Sequence, residues 1–151
     1  MVVTAATLVA EAKSRVENLT PEQVADEVAS GAVLVDLREE DERQRLGAIA
    51  GSIAAPRGML EFWADPASPY HRPEFDRSAR IILMCASGGR SALATDTLQA
   101  MGYGRVAHLD GGLKAWVASG RPVQVRALAR ESRRRTPGPT LGVRLRPTTP
   151  S

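Results

Sequence analysis

The sequence has little of what disulfides and metal sites require. It contains one cysteine, Cys85, so no disulfide can form within the chain. Its two histidines, His71 and His108, are isolated from each other and from any cysteine or acid at ligand spacing. We therefore predict no metal centre, and neither histidine is an obvious general base.

A long apolar run is absent as well. Residues 1–10 are briefly apolar, but they lack a basic segment and lead directly into Glu11. They predict neither a signal peptide nor a membrane span. The chain of 151 residues has the length of one domain with a single core.

Lysine is scarce, since Lys13 and Lys114 are the only lysines among 20 basic residues. This bias is typical of a GC-rich genome and predicts a bacterial source. Residues 124–151 hold seven arginines against one acid, Glu131, together with four prolines and few large apolar residues. That composition predicts a disordered basic tail. Because such tails are more often solvated than bound, we predict neither nucleic acid nor a membrane as a partner.

The amino-terminal part of the chain has two helical patterns. Residues 5–16 place apolar side chains on one stripe, which predicts an amphipathic helix docked on its own domain. Thr20 and Gln23 form a capping-box pattern around Pro21, which predicts a second helix that ends at about Ala29.

Three short apolar runs are typical of buried strands in a parallel sheet: residues 32–35, 81–84 and 106–109. Helical patterns begin at Ser91 and at Gly112, and a third helical pattern covers residues 57–64. Strands that alternate with helices predict an α/β fold with a central parallel sheet and helices on both faces. Sites in such sheets lie beyond the carboxyl ends of the strands, where both Cys85 and Asp36 fall.

The most informative segment starts with Cys85 and leads into a predicted helix. Ser91 has the residue type of an N-cap, so the amino end of that helix would point at the loop. Gly88 and Gly89 let successive backbone amides converge, and Arg90 adds a positive charge. All three effects favour a thiolate over a thiol. The alternative is a buried structural cysteine, the commoner role of a lone cysteine after an apolar strand.

Three motifs in this order resemble the rhodanese family of sulfurtransferases. The loop at residues 85–91, Cys-x-x-Gly-x-Arg-Ser, is similar to the active-site loop of that family. Residues 33–58 resemble its amino-terminal signature, and residues 109–116 resemble its carboxy-terminal signature. The resemblance spans about residues 20–123. One position departs from the pattern, because Ala48 stands where the family often has histidine.

The resemblance implies a three-layer, single-domain rhodanese-like fold with a helical extension at residues 1–19, a domain at 20–123 and the basic tail at 124–151. It implies a sulfurtransferase that moves sulfane sulfur from a donor such as thiosulfate to cyanide or a thiol through a Cys85 persulfide, without a cofactor. A protein could also be the sulfur acceptor. A nucleophile that must stay reduced argues for a cytoplasmic location.

The implied site contains ten residues, namely catalytic Cys85, the substrate- and persulfide-binding loop Ala86, Ser87, Gly88, Gly89, Arg90 and Ser91, and the supporting residues Asp36, Arg38 and Arg57. Asp36 would hold the loop or Arg38 in place, and Arg38 would help to neutralise an anionic donor. The alternative is a surface ion pair within the acidic run at residues 39–42. Arg57 would face the pocket, unless it is solvated like most arginines.

Two other functions stay open. Cysteine-dependent phosphatases on the same fold have a similar loop, but they require five residues between Cys and Arg, and Cys85 and Arg90 are separated by four. A binding or persulfide-carrier module could use the domain as a scaffold, although silent relatives usually lose the cysteine.

Overall fold

The computed structural model describes residues 2–125, in which helices and strands alternate along the chain. A 3₁₀ turn, Arg57–Met59, leads into the fourth helix. The elements in chain order are α1 (Ala5–Arg15), β1 (Glu17–Leu19), α2 (Pro21–Ala29), β2 (Val33–Asp36), α3 (Glu40–Leu46), β3 (Ile53–Ala54), α4 (Leu60–Ala64), β4 (Ile81–Met84), α5 (Gly89–Ala100), β5 (Val106–Leu109) and α6 (Gly112–Ala118).

All five strands are parallel and form one sheet in the order β1-β5-β4-β2-β3. The central strand β4 pairs with β2 in a register that places Asp36 beside Met84. The carboxyl ends of these two strands therefore meet at one edge of the sheet. Cys85 directly follows β4 at this edge.

The two faces of β4 bury different cores. Ile81 and Leu83 pack into a cluster with residues of α4 and α5, whereas Ile82 and Met84 pack into a cluster with residues of α2 and α6. Because side chains of a strand alternate between faces, a run that is apolar throughout must be covered on both sides. The predicted three-layer α/β fold is thus confirmed.

The amino-terminal helix α1 docks on α5 of the same chain, as its apolar stripe predicts. Arg15 donates two hydrogen bonds to Asp96 at 3.1 and 2.7 Å, and Lys13 forms an ion pair with Asp110 at 2.7 Å. The chain then continues into β1, which pairs with β5. Residues 17–19, which fall in the predicted extension, are therefore an edge strand of the sheet.

The capping box predicts α2 closely. The Thr20 side chain accepts a hydrogen bond from the Gln23 backbone, the Gln23 side chain accepts one from the Thr20 backbone, and the helix ends at Ala29. The sequence patterns do not predict β1, β3 or α3. The two strands are short, and α3 is a polar helix whose start is held by a reciprocal box between Glu39 and Glu42.

No helix within residues 2–125 is both long and apolar enough to cross a membrane. The predicted tail lies outside the described residues, apart from Gln124 and Val125. Gln124 pairs antiparallel with Ala48, the position at which the family often has histidine, through backbone hydrogen bonds of 2.9 and 2.7 Å. Ala48 is 5% exposed, so it lies in the core rather than at a surface that substrates could reach.

Candidate active site

The sulfur of Cys85 lies in a shell of donors from its own loop. The residue is 1% exposed, and its Sγ accepts hydrogen bonds from the backbone N–H groups of Gly88, at 3.1 Å, and Ser91, at 3.4 Å. Both donors belong to the start of α5, where the helix dipole is positive. The arrangement suits a sulfur atom that carries negative charge.

The loop closes through a left-handed glycine. Gly88 has φ 102° and is the N-cap of α5, which begins at Gly89. The expectation that Ser91 caps this helix is therefore wrong, because Gly88 turns the chain early enough for the next residues to be helical already. Ser91 lies in the first turn instead, and this position aims its N–H at Cys85.

The carboxy-terminal motif holds the loop from behind. The Leu113 N–H donates to the Cys85 carbonyl at 2.8 Å, and the Lys114 N–H donates to the Ala86 carbonyl at 3.0 Å. A Cβ on Gly112 would lie about 2.5 Å from the Cys85 carbonyl oxygen, so only glycine allows this approach. The start of α6 and the Cys85 loop are thus one packed unit.

Within the loop, the side chains differ in their access to solvent. Ser87 is exposed, whereas Ala86, Gly89 and Arg90 are half-buried. Ser87 is therefore the residue of this loop that is most accessible to solvent.

Arg90 has a counter-ion that the sequence patterns did not predict. Its guanidinium donates to both carboxylate oxygens of Glu42 on α3, at 2.9 and 3.0 Å. The hydrogen bond from Arg90 lowers the pKa of Glu42 to about 2, and it raises the pKa of Arg90 above its usual value. The positive charge near the loop is therefore offset by a carboxylate.

Asp36 and Arg38 form a buried cluster at the end of β2. Both are 0% exposed, so the interpretation as a surface ion pair is wrong. Arg38 donates to the Asp36 carboxylate at 3.0 and 2.8 Å and to the Gly47 carbonyl at 2.8 Å. Arg43 also donates to the Asp36 carboxylate, at 2.7 Å. Asp36 thus holds Arg38 in place, and the buried guanidinium of Arg38 is not presented to a donor in solvent.

Arg57 lies on the 3₁₀ turn next to the end of β2, where its N–H donates to the Leu37 carbonyl at 3.2 Å. Its guanidinium pairs with Glu61 on α4 at 2.9 Å, and the side chain is 28% exposed. The structure therefore gives Arg57 a partner outside the Cys85 loop.

His108 is the site residue that sequence reasoning missed. It lies on β5, is 0% exposed, and its Nδ1 is 2.8 Å from the Ser91 hydroxyl. Its Nε2 is 2.7 Å from Oδ1 of Asn18 on β1. Burial lowers the pKa of His108 from 6.5 to about 4, so the imidazole is neutral at pH 7. The sequence feature that could have identified His108 is that a polar side chain interrupts the otherwise apolar run at residues 106–109.

In the part of the chain that the structure describes, no three His, Cys, Asp or Glu side chains lie close enough to share a metal ion.

Comparison with known proteins identifies the fold family. The family model of the rhodanese-like domain matches residues 20–119. The chain belongs to the rhodanese-like domain family. The Cys85 loop, His108 and the start of α6 lie within the matched residues, whereas Asn18 precedes them.

Two sulfurtransferases are similar to this rhodanese-like protein. A sulfurtransferase from Allochromatium vinosum is 32% identical over 91 residues, which cover 60% of this chain and 77% of the relative. The thiosulfate sulfurtransferase GlpE from Ectopseudomonas mendocina is 30% identical over 106 residues, which cover 70% of this chain and 89% of the relative.

A solved structure from Rhodopseudomonas palustris is similar in both sequence and fold. It is 42% identical, has a TM-score of 0.77, and the match covers 82% of this chain and 96% of that one. That protein has unknown function and is described as a possible tyrosine phosphatase. The chain therefore has a rhodanese-like domain, and its sequence is similar to those of sulfurtransferases.

Proposed function

We propose that this protein is a sulfurtransferase that carries sulfane sulfur on Cys85, taking it from a donor such as thiosulfate and passing it to cyanide or a thiol. The observation that carries the proposal is the position of Cys85 Sγ, at the end of β4 and within 3.4 Å of two backbone N–H donors at the start of α5. Sulfurtransferase relatives at about 30% identity support the same reaction class.

In the first half-reaction, the Cys85 thiolate attacks the outer sulfur of thiosulfate. A bond forms between Sγ and that sulfur, the S–S bond of thiosulfate breaks, and sulfite leaves with the electron pair. The product is a persulfide whose terminal sulfur carries the negative charge. Backbone N–H groups in the first turn of α5 have no carbonyl partner within the helix, so they are available to this anion.

In the second half-reaction, the acceptor attacks the terminal sulfur. Cyanide forms a C–S bond, the bond to Sγ breaks, and thiocyanate leaves while the Cys85 thiolate is restored. A thiolate acceptor reacts in the same way and leaves as a persulfide. A small molecule or a cysteine of another protein could supply this thiolate. Neither half-reaction needs another proton acceptor once Cys85 is ionised.

Mass spectrometry of the intact protein tests this proposal directly. After incubation with thiosulfate, the protein should gain the mass of one sulfur atom, and cyanide should remove it with release of thiocyanate. Cys85→Ser should gain no mass. Failure of the wild-type protein to gain sulfur from thiosulfate, polysulfide or any other donor would overturn the proposal.

A second candidate is a cysteine-dependent phosphatase, because the similar protein from Rhodopseudomonas palustris is described as a possible tyrosine phosphatase. The loop argues against it. Four residues separate Cys85 from Arg90, whereas a phosphoryl group needs the wider ring of amides that five residues provide. Hydrolysis of an aryl phosphate by the wild type but not by Cys85→Ser, with no persulfide from any donor, would place the phosphatase first.

A further inference from the structure

A chain of hydrogen bonds leads from the Cys85 sulfur to the edge of the sheet. Cys85 Sγ is 3.6 Å from the Ser91 hydroxyl oxygen, which is 2.8 Å from His108 Nδ1, and His108 Nε2 is 2.7 Å from Asn18 Oδ1. Asn18 and His108 are register partners in the pairing of β1 with β5. Cys85, Ser91 and His108 are all buried.

The direction of this chain is set at Asn18. Its Nδ2 donates to the carbonyls of Lys13, at 3.0 Å, and Val16, at 3.1 Å, at the end of α1. The amide group therefore presents Oδ1 to His108, and an oxygen of this kind can only accept. His108 Nε2 must carry the proton, which makes Nδ1 of the neutral ring an acceptor.

The Ser91 hydroxyl has one proton, and His108 Nδ1 is its best acceptor. The bond to Nδ1 is 2.8 Å, whereas the Gly88 carbonyl is 3.3 Å from the hydroxyl oxygen and already accepts from the Ala92 N–H at 3.1 Å. With its proton directed at His108, the hydroxyl oxygen presents only lone pairs to Cys85. Such an oxygen can accept from a thiol, but it cannot donate to a thiolate.

We propose that Asn18 and His108 are positioning residues that commit the Ser91 hydroxyl proton to the imidazole, and so leave the Cys85 thiolate with backbone N–H donors alone. This inference rests on the proposed function, because it concerns the reactivity of the sulfur nucleophile. Asn18, at the far end of this chain of hydrogen bonds, lies in the edge strand that follows α1, so the amino-terminal segment becomes part of the site.

The arrangement has a chemical consequence for sulfur transfer. A thiolate with fewer hydrogen-bond donors is more basic, and thiolates become more nucleophilic as their basicity rises. Once sulfur is loaded, Sγ is the neutral inner atom of the persulfide and needs no further donor. Withholding the Ser91 hydroxyl therefore disfavours charge on Sγ in the thiolate and costs nothing in the persulfide.

The ionisable groups around this chain of hydrogen bonds are the same in the wild-type protein and in the variants described below. They are Arg90 with Glu42 beside the loop, Asp36 with Arg38 and Arg43 at the end of β2, and Lys13 with Asp110 beside His108.

The test compares two replacements of similar shape at position 108. His108→Asn can place an amide oxygen where Nδ1 stands, so it keeps an acceptor for Ser91, whereas His108→Leu removes the acceptor. The measured quantity is the pH at which iodoacetamide alkylates Cys85 at half of its maximal rate. In His108→Leu, the freed hydroxyl donates to the thiolate, and we expect this midpoint to fall by about one pH unit or more. In His108→Asn, it should stay near the wild-type value.

Ser91→Ala gives an independent result that needs no change in the core around His108. If the wild-type hydroxyl does not donate to the thiolate, its removal leaves the midpoint within about 0.3 pH units or slightly lower. A rise of one unit would show that Ser91 stabilises the thiolate and would overturn the inference. In the double variant that combines Ser91→Ala with His108→Leu, the alkylation midpoint should no longer show the fall expected for His108→Leu alone.

Three further outcomes would contradict the inference: an unchanged midpoint in His108→Leu, an equal fall in His108→Asn, or a fall that persists without the Ser91 hydroxyl. Alkylation requires no sulfur donor, so these results do not depend on persulfide formation. If the midpoints move as expected and no donor loads the protein, the proposed function fails while the role of His108 toward the thiolate stands.

Discussion

Two buried polar clusters lie at the carboxyl ends of neighbouring strands, and they handle charge in different ways. At the end of β2, the Asp36 carboxylate is enclosed by the guanidinium groups of Arg38 and Arg43, and no part of Asp36 or Arg38 is exposed. At the end of β4, the Cys85 sulfur is surrounded by backbone N–H groups and one neutral hydroxyl.

The difference follows from how long each charge persists. The charges of the β2 cluster are permanent, so fixed counter-charges hold the chain in place, and loss of one partner leaves the others buried without compensation. In the proposed reaction, the charge at Cys85 appears as thiolate, moves to the terminal sulfur of the persulfide and returns. Backbone dipoles stabilise such a charge in each position, and the permanent cation of the loop, Arg90, is already paired with Glu42.

The largest expected effect is the loss of sulfur transfer in Cys85→Ser. The Cys85 Sγ is the one group in the loop that we propose to form a bond with sulfur, so thiocyanate release should fall to the background rate. The folded structure should persist, because serine fits the space of cysteine. Thermal unfolding serves as the control, and residual activity in a folded Cys85→Ser protein would contradict the assignment.

The β2 cluster should show the reverse pattern, with a large effect on stability. Asp36→Asn leaves Arg38 and Arg43 buried without a carboxylate, and we expect the free energy of unfolding to fall by about 3–5 kcal/mol. Urea unfolding measures this change.

A matched control removes an exposed carboxylate from an ion pair. Asp41 pairs with Arg45 at 3.8 Å and its side chain is 74% exposed, so Asp41→Asn should change stability by less than about 0.5 kcal/mol. Equal effects of the two substitutions would show that the buried cluster is not a structural anchor.

The buried His108 predicts a stability that depends on pH. Its pKa is about 4 in the folded protein and 6.5 in its ordinary state, so the unfolded chain binds a proton between these values and the folded chain does not. Stability should therefore be highest above pH 6.5 and should decrease by about 3 kcal/mol as the pH falls to about 4.

This pH dependence should weaken in His108→Asn, which has no imidazole to protonate. Urea unfolding at several pH values provides the comparison. Glu42 acts in a lower range, since its pKa falls from 4.5 to about 2 on folding and its contribution is lost below pH 4.5. An unchanged slope between pH 6.5 and 4.5 in the variant would contradict the role of His108.

The smallest expected effect is on the rate of sulfur transfer. It distinguishes the backbone strain of a residue with positive φ from a change in the geometry of the Cys85 loop. Gly88 and Gly31 have similar φ angles, 102° and 106°, so alanine at either position costs about 1 kcal/mol of strain. A Cβ on Gly88 would also lie 3.0 Å from the Gly111 nitrogen, whereas a Cβ on Gly31 meets no atom within 4 Å.

Gly88→Ala should therefore shift the amide that faces Cys85 and lower the rate of sulfur transfer by about tenfold, while Gly31→Ala leaves the rate unchanged. The thiol should remain titratable in both proteins. Equal rates in the two variants would mean that the geometry of the loop amides does not limit transfer.

Much of the fold was predictable because its signals are local. The boundaries of β4 and β5 follow from continuous apolar runs, and α2 follows from the Thr20 capping box and Pro21. The N-cap of α5 was predicted three residues late, at Ser91 instead of Gly88, because the residue type at Ser91 was visible whereas the left-handed turn at Gly88 had to be observed. The strand β3 was not predicted, because two residues are too few to show the alternation of side chains that marks a strand.

The sequence by itself determined where the proposed nucleophile stands: a thiol after a buried strand, followed by two glycines, an arginine and a helix. These features depend on neighbouring residues, so adjacent positions in the chain carry the information. The tertiary structure alone decided the partners of Arg90 and Ser91. Glu42 and Arg90 are 48 positions apart, and Asn18 and His108 are 90 apart. Such pairs meet only through the register of the sheet and the packing of helices on it, and no local pattern records either.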